Sequence, residues 1–243
     1  MRISRLYTTL KLLANGTLTL EGDTAHYLSK VLRLRVGHSF HLFNERDGEF
    51  FSTIVNIERR SISVQLGDLH RQKDSASLCL NLALGLSRSD RFDYAIQKAT
   101  ELGVSTISPL ISEHCDVKLK ADRIENKVNH WHKIAIAASE QCGRISLPII
   151  QSPQPLTNWL DLDHDGLRLI LDHRGDAMGD VQQRDIKAIS MLIGPEGGFS
   201  EEEISLALAR DFRQVSLGPR ILRTETAPVV SLSVLQFLFG DLN

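Results

Sequence analysis

Met191-Leu192-Ile193-Gly194-Pro195-Glu196-Gly197-Gly198-Phe199-Ser200-Glu201-Glu202-Glu203 is the stretch on which the fold turns. An apolar run suited to a buried strand stops at Gly194, Pro195, Gly197 and Gly198, a turn both stiff and sterically bare, where backbone N–H and C=O groups can approach a ligand closely. Ser200 and Glu203 then have the S-x-x-E spacing of a capping box, which starts a helix. The segment reads as strand, open turn, helix. By itself it also fits a plain strand-to-helix connection. It lacks the lysine and hydroxyl of a Walker phosphate loop and is not a G-x-G-x-x-G fingerprint, which disfavours nucleoside triphosphate or NAD.

The same grammar repeats outward. Strands are expected at Leu78–Leu86, Val104–Leu110, Leu167–Leu171, Ala188–Ile193 and Gln214–Leu217, and helices at Asp90–Leu102, Ala121–Cys142, Ser200–Arg210 and after Ala227-Pro228. In Ala121–Cys142 the residues Ile124, Val128, Trp131, Ile134, Ala135 and Ala138 fall at helical spacing, with Gly143 at the C-terminal cap. Such alternation predicts an α/β fold with a mostly parallel sheet covered by helices. Ligands in such sheets bind beyond the carboxyl ends of the strands. That rule selects the Gly194–Phe199 turn, the loop Asp172-His173-Arg174-Gly175-Asp176 and the loop Gly218–Thr226. The last sets Arg220, Arg223 and Glu225 before a nearly all-apolar helix. Charge so placed reads either as a site at the edge of the core or as a partnered salt bridge. Glu140, Gln141 and Arg144 read most simply as a polar helix end.

The first seventy residues differ. Short β segments, Thr17–Leu20, Ser39–Phe43, Glu49–Ile57 and Ser61–Leu66, are separated by turn signals such as Asn15-Gly16 and Arg46-Asp47-Gly48. One helix interrupts them, opening near Asp23-Thr24 and carrying His26, Leu28, Val31, Leu32 and Leu34. This predicts a small β-rich, barrel-like unit over residues 1–72, closed by a polar linker at Leu69–Asp74, with a second domain over 73–243. Residues 1–72 carry 10 Lys/Arg against 7 Asp/Glu, whereas 73–243 carry 18 against 23. The positive charge is concentrated in front, although the whole chain has a net charge of −2 and no bulk basicity.

At 243 residues, 42% hydrophobic and 24% charged, the composition is that of a folded globular chain. No apolar run is long enough to span a bilayer, and no apolar segment follows the basic N-terminus, so a cytoplasmic protein without a membrane is expected. Cys79, Cys115 and Cys142 are few, odd in number and widely spaced, as reduced thiols are. His130-Trp131-His132 and His114-Cys115 have no third ligand at metal spacing, and no G-x-S-x-G elbow is present, so neither a metal centre nor serine hydrolysis is expected.

Four segments in order, Gln97–Val104, Glu140–Arg144, Ile193–Phe199 and Leu217–Ala227, resemble the ribosomal RNA small-subunit methyltransferase E family. The front matches too, with Arg2-Ile3, Arg5-Leu6-Tyr7, His26-Tyr27-Leu28 and Val31-Leu32-Arg33-Leu34 similar to the family's opening and first helix. Ser4 departs from it, standing where proline is frequent. The resemblance implies a SPOUT-type parallel sheet with a C-terminal trefoil knot, a small N-terminal β-barrel PUA-like domain that grips RNA, and a homodimer. It implies S-adenosylmethionine as cofactor and methylation of N3 of a uridine, position 1498, in 16S rRNA of the small ribosomal subunit, with RNA rather than DNA as partner. By position, the cofactor is expected against Leu171, Gly194, Pro195, Glu196, Gly197, Gly198, Leu217, Gly218, Ile221, Leu222, Thr224, Thr226 and Ala227. Arg223, with Arg144, is expected to stabilise charge on the uracil oxygens, and Glu225 to act as base. Arg5, Tyr7, Arg33 and Arg35 are the expected RNA contacts, with ordinary solvated charge as the plainer reading. A SPOUT enzyme for another rRNA or tRNA nucleotide, or a noncatalytic RNA-binding assembly factor, are the alternatives.

Overall fold

The computed structural model describes residues 4–73, 78–117, 119–181 and 185–242. Contacts divide the chain into two compact units, Met1–Ser75 with Ser139–Ser146, and Ala76–Ala138 with Leu147–Asn243. The first unit contains β1 (Arg5–Tyr7), β2 (Thr17–Glu21), the short helix α1 (Gly22–His26), β3 (Ser39–Asn44), β4 (Gly48–Ile57) and β5 (Ser61–Arg71). Its five strands form one sheet in the order β1-β3-β4-β5-β2. Along β5 the buried Ile62, Val64 and Leu66 alternate with more exposed neighbours, the period-two pattern of a strand with one face in the core. β1 was not among the expected strands, because three residues are too few to show that pattern.

Two expectations for this unit are corrected. Leu69–Arg71, read as linker, is strand: β4 is long enough to pair Phe50 with Leu69 and Glu49 with Arg71. Asp74, the end of that linker, lies outside the described residues. The expected helix is also not one continuous α-helix. After α1 the chain widens into a π turn over Tyr27–Val31, where the Leu32 N–H donates to the Tyr27 carbonyl at 2.9 Å. The extra residue takes Val31 out of the apolar stripe, so that Leu28 is fully buried and Val31 exposed. The chain leaves through Arg33 in a left-handed conformation, φ 53°.

The second unit runs β6 (Cys79–Gly85), α2 (Ser89–Glu101), β7 (Thr106–Ile111), α3 (Ala121–Cys142), whose last turn belongs to the first unit, β8 (Ile149–Ile150), β9 (Gln154–Pro155), α4 (Leu156–Leu160), β10 (Leu167–Ala177), β11 (Ala188–Ile193), α5 (Glu201–Leu208), β12 (Arg213–Ser216) and α6 (Thr226–Phe239). The sheet is parallel throughout, in the order β12-β10-β11-β6-β7-β8, with β9 also on β7. Both faces are covered, as a parallel sheet requires. Ile189, Met191 and Ile193 of β11 face a core shared with Phe92 and Ile96 of α2, Trp131 of α3 and Leu232 and Leu235 of α6. Leu192 points the other way, into a core with Trp159 of α4, Ile204 of α5 and Phe212. The chain goes from β6 outward to β7 and β8, then crosses to lay β10 to β12 on the other side. The strand order therefore reverses between β6 and β11, the position where open sheets bind ligands.

The loop expected at Asp172–Asp176 proves to lie within β10. Leu171 and Asp176 both register with Val215 of β12, so residues 172–175 leave the ladder and return to it. Gly175 makes this possible, because a Cβ there would lie 2.5 Å from the Gln214 carbonyl carbon and the Val215 nitrogen. No helix among the described residues is long and apolar enough to cross a membrane.

Candidate functional site

The turn after β11 is held from three sides. Gly198 takes φ +70°, conformational territory that favours glycine, and its N–H donates to the Pro195 carbonyl at 2.9 Å. Beneath the turn, a Cβ at Gly85 would come within 2.5 Å of the Pro195 nitrogen and ring, so only a glycine at the end of β6 lets the turn sit this low. On its rim the His114 Nδ1 lies 3.0 Å from the Gly197 carbonyl oxygen. The start of α5 is fixed by a complete capping box: Glu203 N–H donates to Ser200 Oγ at 3.4 Å, and Ser200 N–H to Glu203 Oε2 at 3.0 Å. Glu203 Oε1 accepts from the Glu113 N–H at 2.8 Å, tying the loop after β7 to the same helix start.

The segment between β12 and α6 is fastened across this turn. Thr224 Oγ1 donates to the Gly194 carbonyl at 3.1 Å, and the Thr226 and Ala227 N–H groups donate to the Arg223 carbonyl at 2.9 Å each. The third fastening comes from Arg91 in the first turn of α2. Its Nη1 donates to Glu196 Oε1 at 3.0 Å, and its Nε lies 3.8 Å from Glu225 Oε2. Opposite, Arg174 grips Asp172 through Nε at 3.0 Å and Nη2 at 3.1 Å and also meets Glu201 at 2.6 Å. Hydrogen bonding from Arg174 holds the Asp172 carboxyl below its ordinary value, so it stands as a fixed negative charge in the wall.

Between these segments is a cavity of about 670 Å³ at the carboxyl ends of β10, β11 and β12, within the size range of small-molecule sites. Of the expected cofactor residues it brings together Leu171, Gly194, Pro195, Glu196, Gly197 and Gly198 with Leu217, Gly218, Ile221, Leu222, Thr224 and Ala227. Thr226 is not in the lining. Arg223 is in it and exposed, while Glu225 stands behind, at the N-terminus of α6. Arg144 belongs to the first unit and is not part of the lining. Arg91 escaped the sequence reading, Arg174 was in a selected loop but was given no role of its own, and His114 was weighed only as a metal ligand. Applying the strand-end rule to β6 as well would have found Arg91, six residues after Gly85; the contact of His114 with Gly197 has no signal in sequence, since its partner is 83 residues away.

In the first unit the expected RNA contacts divide. Arg5 is spent on structure: Nε donates to Glu49 Oε1 at 2.8 Å, Nη1 to the Ser139 carbonyl at 2.6 Å and Nη2 to the Arg144 carbonyl at 3.0 Å, with the guanidinium 4.2 Å over the Phe43 ring. Tyr7 is half-buried, its hydroxyl donating to Glu45 at 3.2 Å and its ring packing edge-on against Phe43. Arg33 and Arg35 are exposed. They follow the π turn in a stretch where Tyr27, Val31 and Val36 are exposed as well.

A model of the RNA methyltransferase domain matches residues 74–236, and one of the RNA methyltransferase PUA domain matches residues 20–67. The ribosomal RNA small subunit methyltransferase E of Buchnera aphidicola subsp. Schizaphis graminum is 33% identical over 243 residues, covering 100% of this chain and 99% of the relative. That of Rickettsia conorii is 31% identical, covering 98% and 97%. Among solved structures, a Legionella pneumophila protein in complex with the cofactor SAM superposes with a TM-score of 0.94 at 35% identity over the whole of both chains. The ribosomal RNA small subunit methyltransferase E of Neisseria gonorrhoeae, bound to S-adenosyl methionine, superposes with a TM-score of 0.91 at 31% identity, again over both whole chains. On a domain model and on relatives matched end to end, the chain belongs to the ribosomal RNA small subunit methyltransferase E family.

Proposed function

We propose that this chain transfers the methyl group of S-adenosylmethionine to N3 of a uridine, position 1498, in 16S rRNA of the small ribosomal subunit. The observation that carries the reading is the cavity where the Gly194–Phe199 turn, the 217–227 segment and Leu171 meet, in a chain of this family. The residues fit the cofactor. Gly198 and Gly218 line the cavity with positive φ and nothing within 4 Å of where a Cβ would be, so the space their missing side chains leave is open. Leu171, Leu217 and Leu222 give apolar walls, and backbone groups of the turn give the polar contacts an adenine ring needs.

When bound, S-adenosylmethionine supplies an electrophilic methyl group. The chain has to align uridine N3 with it and take the imide proton. Arg223, exposed to the cavity, is assigned to the negative charge that spreads onto the uracil carbonyl oxygens. Glu225 is assigned to the proton because it is the only acidic side chain of the 218–226 loop and stands two residues after Arg223, at the head of α6. RNA binding is assigned to Arg33 and Arg35, because the guanidinium of Arg5 is already engaged on all sides.

The finer architecture belongs to the same proposal. A trefoil knot is supported by the 217–226 segment fastening to the Gly194 turn before α6 returns to pack on α2. A PUA-like barrel over the first unit is supported by a single core to which all five strands and α1 contribute. A homodimer through α6 is supported by Phe237, an apolar side chain of that helix left 60% exposed. Small subunits as substrate place the reaction in the cytoplasm, in keeping with three free cysteines among the described residues. Mass spectrometry of 16S rRNA from a strain lacking the gene tests the assignment. Loss of one N3-methyluridine, restored by the wild-type gene, is expected; an unchanged set of 16S modifications overturns it.

A further inference from the structure

Arg91 is set firmly at the start of α2, where its own N–H and that of Phe92 donate to the Arg88 carbonyl at 3.0 Å each. From there it reaches two segments 29 residues apart in sequence, through Glu196 in the glycine turn and Glu225 at the head of α6. Neither carboxylate is used in the ordinary way. Glu225 occupies the N-cap position of α6 but makes no side-chain capping bond. Glu196, from a different segment, accepts from the Arg88 N–H at 3.5 Å, so it also anchors the turn to the start of α2. Half-exposed pairs of this kind add little to stability. Their value here is geometric. Arg223 lies immediately before the Thr224 bond to Gly194 and two residues before Glu225, so two ties on its C-terminal side hold the backbone from which its guanidinium extends. One of the two is Arg91.

We propose that Arg91 is a positioning residue for methyl transfer: it joins α2, the glycine turn and the 217–225 segment through Glu196 and Glu225, and so fixes Arg223 and Glu225 toward the reacting uracil. The inference rests on the methyltransferase reading above and deepens it. It assigns Arg91 no contact with the reacting atoms. Glu225 Oε2, buried and 3.8 Å from Arg91 Nε, is close enough to be steered by the guanidinium without a hydrogen bond to it, so Arg91 sets how the carboxylate is turned.

The test uses the full chain, S-adenosylmethionine and small ribosomal subunits lacking the modification, with Arg91→Gln, Arg91→Lys, Glu225→Gln and the Arg91→Gln/Glu225→Gln double variant. For Arg91→Gln, kcat at saturating cofactor is expected to fall about 10²-fold, well beyond any weakening of cofactor affinity seen by calorimetry, with the thermal midpoint close to wild type. Arg91→Lys keeps the charge but cannot span both carboxylates, and its kcat is expected between the two. In the double variant, Glu225→Gln is expected to cost less than it costs alone, because the two act as one unit. An Arg91→Gln enzyme with wild-type kcat overturns the inference, as does a loss explained wholly by weaker cofactor binding or a lower midpoint, or strict additivity with Glu225→Gln. A wild-type chain that neither binds the cofactor nor methylates the subunits overturns the underlying reading, and the inference with it.

Discussion

Gly85 and Gly198 show how differently two glycines can serve one turn. Alanine at Gly198 meets no neighbour but must hold φ +70°, a local cost of about 1 kcal/mol. Alanine at Gly85 has an ordinary backbone and collides with Pro195, so the turn itself must move. Gly85→Ala is therefore expected to weaken cofactor affinity in a calorimetric titration far more than Gly198→Ala, and equal effects would contradict the geometry. Arg223→Ala is expected to lower kcat by about 10²- to 10³-fold, the usual loss for one donor to a developing oxyanion; unchanged turnover of small subunits would remove it from the chemistry. In the first unit, burial alone would raise the Glu49 carboxyl, but the Arg5 hydrogen bond and charge, with Arg71 and His41, outweigh it and hold the group below its ordinary value of 4.5. A carboxylate with a lower pKa folded than unfolded contributes stability that is complete above that value and is lost as pH falls through the folded pKa. Burial lowers His41, so stability also declines as pH drops below 6.5; Glu140, raised by burial, acts in the opposite sense just above 4.5. Glu49→Gln, which removes the carboxylate shared by the largely buried Arg5 and the half-exposed Arg71, is expected to cost about 3 kcal/mol at neutral pH. In denaturant unfolding its gap from wild type should narrow below pH 4.5; a gap that widens in acid would contradict this sign. Gly198 was legible in the sequence because its turn chemistry is local; Gly85 was not, since what it makes room for is Pro195, far along the chain. The commitment of Arg5 was not, since its carboxylate partner is 44 residues away and its other acceptors are backbone carbonyls of the segment 139–146.

Elements declared themselves where caps and periodicity agreed. The edges of α3 and β11 fall where the sequence placed them, and the Ser200–Glu203 box that marked the start of α5 is present in both halves. Ser200→Ala removes one half and is expected to cost about 1 kcal/mol in urea unfolding. A value near zero would mean that Glu203, through its bonds to Ser200 and Glu113, holds the helix start alone. Elements were misread where a partner strand decides the outcome. The polar 69–71 segment becomes strand because β4 supplies a ladder, and residues 172–176 divide between strand and excursion because Gly175 lets β12 approach. The π turn at Tyr27–Val31 was hidden for a related reason: an i to i+5 bond is selected by which side chains reach the core, not by local propensity.

At the scale of the molecule, alternating strands and helices were enough to anticipate a parallel sheet with ligand loops at its carboxyl ends. Strand order was not legible, since nothing local states that β11 lies beside β6. Neither was the grouping of residues 139–146, at the end of a helix begun in the second unit, with the first unit. The strand-order reversal at β6 and β11 places the glycine turn, Arg91 and the 217–227 segment around one space, and the account stands on that space holding an adenosyl ligand. Isothermal titration of the full chain with S-adenosylmethionine, beside a Gly85→Val variant in which the added side chain would displace Pro195, measures this directly. Saturable heat for the wild type, lost in a variant that remains folded, is the predicted result; no heat for the wild type, or the same heat for both, would contradict it.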